Sequence, residues 1–217
     1  GATSTDIGSL ALVPSSYGAY RINKDLVLGL SINSPFGLAT KPEDGDWAGR
    51  AVGRTAKMFT VNAVPTLAYQ IAPGLIVGVG AQLEYMKLTF RFAASDSANP
   101  LVRANPPIGS PNATVEIDDA LGFGFTAGLL WQPSAATSIG LGIRSSVKHE
   151  LEGNVTNAAG AEGPASADFS TPEIVTLSIR QAVSHTTRVL GTIEWTNWSR
   201  LNRVPVVQSL IASAFAP

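Results

Sequence analysis

Residues 121–132 read Leu121-Gly122-Phe123-Gly124-Phe125-Thr126-Ala127-Gly128-Leu129-Leu130-Trp131-Gln132. Apolar side chains hold every odd position, and glycine, threonine or glutamine holds all but one of the even ones. A period of two is the mark of a strand with two different faces, because successive side chains point to opposite sides. The same period runs elsewhere. Phe59, Val61, Ala63, Pro65, Leu67 and Tyr69 alternate with Thr60, Asn62, Val64, Thr66, Ala68 and Gln70. Ile139, Leu141, Ile143 and Val147 alternate with Gly140, Gly142, Arg144, Ser146 and Lys148. Helical spacing of similar strength appears nowhere; only 208–215 suggests a short helix.

Extending the pattern outward gives eight long strands, at 9–21, 26–36, 55–71, 75–92, 119–132, 137–151, 169–182 and 187–199. Strands in soluble sheets run to about five or six residues. Several of these are more than twice that. The connections alternate in length. Short turns fall at Asn23-Lys24-Asp25, Ala72-Pro73-Gly74, Pro133-Ser134-Ala135 and Ser184-His185, and long polar loops at 38–54, 93–118 and 152–168. Short turns at one end and long loops at the other are the pattern of an outer-membrane barrel.

Composition points the same way. Only 14% of the 217 residues are charged, against about 25% in a typical soluble domain. No run reaches the ~18–20 apolar residues of a membrane-spanning helix. A barrel hides its apolar residues in alternation and needs no such run. The net charge of −1 gives no reason to expect nucleic acid as a partner. With no cysteine and two separated histidines, His149 and His185, no metal centre and no cofactor is expected. No Ser/His/Asp order or carboxylate pair in a plausible cleft suggests an enzyme. His149 falls on the outward phase near a loop end, which predicts a place at the membrane interface.

The two faces then differ in chemistry. One carries Phe, Leu, Ile, Val, Trp and Tyr and would meet lipid. Tyr20, Tyr69 and Trp131 lie near the short turns, and Trp195 and Trp198 near a long-loop end, as interfacial aromatics do. The other face carries small and polar residues, with Glu84, Arg144, Lys148, Glu150, Arg180 and Glu194. Of these, Arg144, Lys148, Arg180 and Glu194 are the candidate lumen charges. On the lipid face each would cost a few kcal/mol at mid-depth. The expected fold is all-β: an antiparallel transmembrane barrel wall of about eight long strands, with residues 1–217 as one partial barrel domain and no separate soluble domain. A soluble sandwich and a lipocalin-like binder are the rivals; scarce charge and the aromatic placement disfavour both.

Several segments, in order along the chain, resemble the FadL/TodX-type family of outer-membrane transporters for long-chain fatty acids and hydrocarbons. They are Val13-Pro14-Ser15-Ser16-Tyr17, Leu28-Gly29-Leu30 with Asn33-Ser34-Pro35-Phe36-Gly37-Leu38, and Asp46-Trp47-Ala48-Gly49-Arg50. Pro65-Thr66-Leu67-Ala68-Tyr69, Gly78-Val79-Gly80, Gly122-Phe123-Gly124 with Ala127-Gly128, and Gly142-Ile143-Arg144-Ser145 follow. Thr171-Pro172-Glu173 and Trp195-Thr196-Asn197-Trp198-Ser199 complete the series. The resemblance implies a larger fourteen-stranded barrel, of which this chain looks like the middle. The family's N-terminal hatch, with its Asn-Pro-Ala segment, and its C-terminal strands have no counterpart here.

The implied function is uptake of hydrophobic compounds across the bacterial outer membrane by binding and lateral diffusion. The alternative is a structural or adhesive barrel without transport. The implied partners are a fatty acid or hydrocarbon and outer-membrane lipid or lipopolysaccharide, with the protein a monomer. Three regions map onto this scheme. Pro35, Phe36 and Gly37 correspond to an inward kink through which ligand leaves sideways. Proline breaks a ladder bond and glycine permits a bulge, although Pro35 could equally end the strand at a loop. Leu101 and Val102, with Pro106, Pro107 and Ile108, give the loop 93–118 a greasy surface for first contact, or fold it over the barrel mouth.

The third region is the end of the fourth strand, with Met86, Phe90 and Arg91. Odd positions are apolar up to Tyr85 and polar from Lys87. The flip predicts either a bulge near Met86 or a strand rising beyond the bilayer. With a bulge, Arg91 would point inward. The resemblance matches it to an arginine that meets the ligand carboxylate, a pairing that suits a guanidinium. Without one, it sits among lipid headgroups or loops.

Overall fold

The computed structural model describes residue 8, residues 13–95, 99, 101, 106–107, 109–119 and 121–201. Twelve strands form one antiparallel sheet. They are β1 (Ser15–Arg21), β2 (Leu26–Asn33), β3 (Gly37–Thr40), β4 (Thr55–Ala72), β5 (Leu75–Ala93) and β6 (Asn112–Asp118). β7 (Gly122–Ser134), β8 (Thr137–Arg144), β9 (Lys148–Thr156), β10 (Glu162–Ser170), β11 (Ile174–Ala182) and β12 (Arg188–Thr196) follow, with a 3₁₀ turn at Trp198–Leu201. The helix suggested at 208–215 and the residues Val102 and Ile108 lie outside the described residues.

The main path is β1-β2-β4-β5-β7-β8-β11-β12. Among the described residues this sheet does not close, and β1 and β12 are its edges. β3, β6, β9 and β10 are upward continuations of β2, β7, β8 and β11. Lys148↔Ser170 and Arg144↔Ile174, for example, belong to one register on either side of a short interruption. The twelve segments therefore reduce to eight long strands, each of the four composite ones interrupted once.

Below the interruptions the sheet is a membrane wall. Cross-strand rows such as Leu28↔Leu67↔Val79↔Ala127 carry the apolar face, and Leu28, Leu67 and Val79 are exposed. The opposite face carries rows such as Gly29↔Thr66↔Gly80↔Thr126↔Arg144. The turns at this end are capped by side-chain oxygens. Asn23 Oδ1 accepts the Asp25 and Leu26 amides at 2.9 Å, and Ser184 Oγ accepts those of Thr186 and Thr187. Gly74 closes the β4–β5 turn at φ 74°, a left-handed conformation that glycine adopts without strain.

Above the interruptions β4 and β5 continue beside β6, β9 and β10 as an upper tier. Its inner face is the apolar core: Met86, Leu88, Val115, Ile117, Leu151, Val155, Ala165 and Phe169, flanked by Met58, Phe90 and Phe92. Its outer face is charged, with Lys87, Arg91, Glu116, Asp118, Lys148, Glu150, Glu152 and Asp168 exposed. Polarity is thus inverted between tiers, apolar-out in the wall and apolar-in above it. That inversion places the upper tier in water at the long-loop end.

Three sequence expectations change here. The segments 93–118 and 152–168 are not plain loops: they contain β6, the end of β9 and most of β10. Glu162-Gly163-Pro164-Ala165-Ser166-Ala167-Asp168 looks like a loop by composition, yet its odd positions supply part of the upper core. Second, β5 has no bulge near Met86. Its register with β4 is the same at Thr55↔Arg91 and at Asn62↔Glu84. The strand simply rises out of the apolar band. The extra residue lies on its neighbour instead, where pairing shifts by one between Lys87↔Asp118 and Glu84↔Gly122. Third, the segment 26–36 neither runs unbroken nor stops at Pro35; it resumes as β3.

Candidate functional site

Asn33 pairs with Asn62, and Gly37 pairs with Phe59. Three residues of one strand, Ser34-Pro35-Phe36, thus face two of the other. Pro35 has no amide to offer, so the ladder cannot close across the bulge. The Thr60 hydroxyl fills part of the gap: it donates to Phe36 O at 2.6 Å, and its oxygen accepts the Phe36 amide at 3.1 Å. On the other flank the Ser34 amide reaches Pro14 O. Phe36 is buried, and Gly37 opens β3 at an exposed position.

Directly inside this break is a cavity of about 420 Å³, whose lining includes Tyr17, Asn33, Pro35, Arg144, Thr176 and Glu194. The curl of the sheet brings the β1–β2 edge to face β8, β11 and β12 across it. Two polar atoms on its lining residues, Asn33 Oδ1 and Arg144 Nη1, are buried without a hydrogen-bond partner among the described residues. Arg144 and Glu194 share the inward phase here, and Thr176 Oγ1 donates to Glu194 Oε2 at 3.1 Å. Arg180 is on the same phase lower down and donates to Ser138 Oγ at 2.9 Å.

Beside the cavity runs a buried polar belt at the level of the interruptions. His149, wholly buried, has Nε2 3.1 Å from Glu84 Oε1 and Nδ1 3.1 Å from Asp119 Oδ2. Asn62 Nδ2 donates to the other Glu84 oxygen at 2.6 Å. Gln82 Nε2 donates to Phe125 O at 2.8 Å, and the Phe125 amide donates to Ser145 Oγ at 2.9 Å. The belt bridges a stretch where β6–β7 and β8–β9 are not paired, between Thr126↔Arg144 and Asp118↔Glu152. Gly122 and Gly124 make room for it. A Cβ on Gly122 would lie 2.6 Å from Val147 Cγ1, and one on Gly124 would lie 2.7 Å from Ser145 Oγ.

The bend at Ser145–Val147 also reverses the side-chain phase of the following strand. Lys148, expected in the lumen, is therefore exposed on the outer face and paired with Glu150 at 2.8 Å. His149, expected at the interface, turns inward. Met86 and Phe90 belong to the upper core, Met86 with no exposed surface. Arg91 is exposed on the opposite face of β5 from that core. Leu101 is exposed, 79% of its surface being accessible.

The loops above are tied together by two arginines. Arg54 donates to Asp46 Oδ1 at 2.6 Å, to Ser110 O at 2.7 Å and to Asn112 Oδ1 at 2.9 Å. Arg50 Nε donates to Pro106 O at 2.9 Å. The Gly109 amide and Arg54 together hold the Asp46 carboxyl below the usual carboxylate range. Trp47 Nε1 donates to Gly53 O at 2.9 Å, and its ring lies where a Cβ on Gly49 would be.

Fold and site together define an outer-membrane β-barrel wall with a local break and, behind it, a cavity lined by both apolar and polar residues. Comparison with known proteins gives the family. Residues 1–215 match the outer membrane protein transport proteins (OMPP1/FadL/TodX), and the chain belongs to that family. It is 28% identical over 221 residues to outer membrane protein P1 of Haemophilus influenzae, covering 89% of this chain and 47% of that one. It is 28% identical over 160 residues to a long-chain fatty acid transport protein of Salmonella typhi, covering 70% of this chain and 37% of that one. Among solved structures, a Pseudomonas aeruginosa FadL homologue superposes with a TM-score of 0.73 at 18% identity, over 86% of this chain and 49% of that one. The Ralstonia pickettii toluene transporter TbuX gives 0.62 at 16% identity, over 88% and 56%. The protein resides in the bacterial outer membrane. The chain spans about half the length, or less, of the relatives it matches.

Proposed function

We propose that the barrel to which this chain contributes takes up hydrophobic compounds, either long-chain fatty acids or aromatic hydrocarbons, by binding and lateral release, with no covalent chemistry. The observation that carries this reading is the bulge at Ser34–Phe36, which opens the wall beside the 420 Å³ cavity. A molecule leaving there moves from the cavity onto the exposed apolar band of Leu30 and Ile32. Reaching lipid there buries its apolar surface, at roughly 25 cal/mol per Å². The substrate class is supported by relatives named as a long-chain fatty acid transport protein and a toluene transporter. Pro35, Phe36 and Gly37 frame the opening.

The test is uptake of labelled oleate and toluene by cells carrying the full-length gene, wild type or Gly37→Trp. A Cβ on Gly37 meets only Ser34 Oγ, at 4.0 Å, and Gly37 shares the outward face with Phe59 opposite, so a bulky side chain there covers the opening from the lipid side. Uptake is expected to fall at least tenfold while heat-modifiable gel mobility stays unchanged. Undiminished uptake would remove the break from the path. A wild type that takes up neither compound would leave the structural or adhesive barrel.

A further inference from the structure

We infer that Lys57, Lys87 and Arg91 form an anchoring patch for the phosphate groups of outer-leaflet lipopolysaccharide. All three side chains are exposed and lie on the outward face of β4 and β5. Lys57 sits opposite Thr89, and Thr89 is flanked two residues away on each side by Lys87 and Arg91. Lys57 is therefore the diagonal neighbour of both, with Cα separations of about 7–8 Å. Three cations are thus gathered within one diagonal step of one another on a single exposed face.

No ion pair relieves them among the described residues. The nearest acids on the adjoining strand are Asp118, opposite Lys87, and Glu116, opposite Thr89. Asp118 accepts the Tyr85 hydroxyl at 2.9 Å instead. Glu116 is diagonal to both Lys87 and Arg91, as Lys57 is on the other side, but closes to ion-pair distance with none of the three cations. No carboxylate among the described residues closes on the three cations to ion-pair distance, so all three stay accessible to an anion from outside the chain.

Their height on the barrel identifies that anion. Phe59, directly opposite Lys87, and Tyr85, opposite Val61, are the last outward residues of the apolar band. Lys57, Lys87 and Arg91 are the first charged outward residues of these strands beyond it, at the long-loop end. Headgroup phosphates of the outer leaflet lie at this level, and basic side chains in such a position attract them. Arg91 adds a planar fork suited to two phosphate oxygens, while the lysines act as point charges.

The test uses the full-length protein in detergent, with bisphosphorylated lipid A and its dephosphorylated form as probes. Wild type is expected to bind the bisphosphorylated form at least tenfold more tightly. The triple variant Lys57→Gln, Lys87→Gln, Arg91→Gln is expected to lose that preference while keeping heat-modifiable mobility. A wild type that binds both forms equally would overturn the assignment, as would a triple variant with its preference intact. A misfolded triple variant is replaced by Lys87→Gln and Arg91→Gln singly, each expected to reduce the preference. Oleate binding is measured in parallel. If Arg91→Gln weakened oleate binding and left lipid A binding unchanged, Arg91 would belong to the ligand path and the patch would be refuted.

Discussion

At the scale of single residues, His149 shows how the polar belt is held together. It is wholly buried, with carboxylate oxygens at both ring nitrogens. Removing one partner of a buried hydrogen-bonded set is costly, because the polar groups it met stay buried without it. His149→Ala in the full-length protein should destabilise the barrel by about 1–3 kcal/mol in urea unfolding from lipid vesicles. Its place was not legible in the sequence. Counting alternation from Ile139, Leu141 and Ile143 puts His149 on the lipid side. The bend at Ser145–Val147 reverses that count, and the paired serines with Gly122 and Gly124 opposite are the only local hint. The same reversal carries Lys148 out of the lumen. Arg144, Arg180 and Glu194, below the bend, keep the inward phase that alternation implies.

At the scale of elements, the break in the wall comes from one surplus residue. Deleting Pro35 would restore a continuous register between β2–β3 and β4, because pairing shifts by one across Ser34–Phe36. The expected outcome is a barrel that still shows heat-modifiable mobility but has lost most oleate or toluene uptake. The loop clasp gives a second prediction. The Gly109 amide and Arg54 hold Asp46 below the usual aspartate range in the folded protein. Its contribution is therefore complete above the ordinary aspartate range and is lost as pH falls through its lower folded pKa. Hydrogen exchange of the Gly109 amide, which donates to Asp46 at 3.1 Å, should be slow at pH 6 and should lose its protection towards pH 2. The long strands were legible because lipid demands strict alternation over many residues. β6 and β10 were not, since strands in water pack a short inner face and tolerate Gly163, Pro164 and Ser166 on the way.

At the scale of the whole molecule, the sheet has two edges among the described residues, β1 and β12. Unpaired edge groups inside a bilayer cost several kcal/mol each, which is why only closed barrels span it. Residues 1–217 expressed alone should show no heat-modifiable band and should associate through these edges, whereas the full-length protein should be monodisperse and heat-modifiable. Gel mobility and light scattering check both.

The inversion of polarity between the tiers also implies a sequence of events during assembly. The wall can form as its strands enter lipid, since its exterior is apolar throughout. The upper tier cannot, because Lys87, Arg91, Glu116, Asp118, Glu150, Glu152 and Asp168 on its outside have to reach the far side of the bilayer first. Met86, Ile117 and Leu151 then find one another only after that crossing. Insertion and capping are therefore expected as two kinetic steps, strand fluorescence changing with the first and burial of the upper core following it.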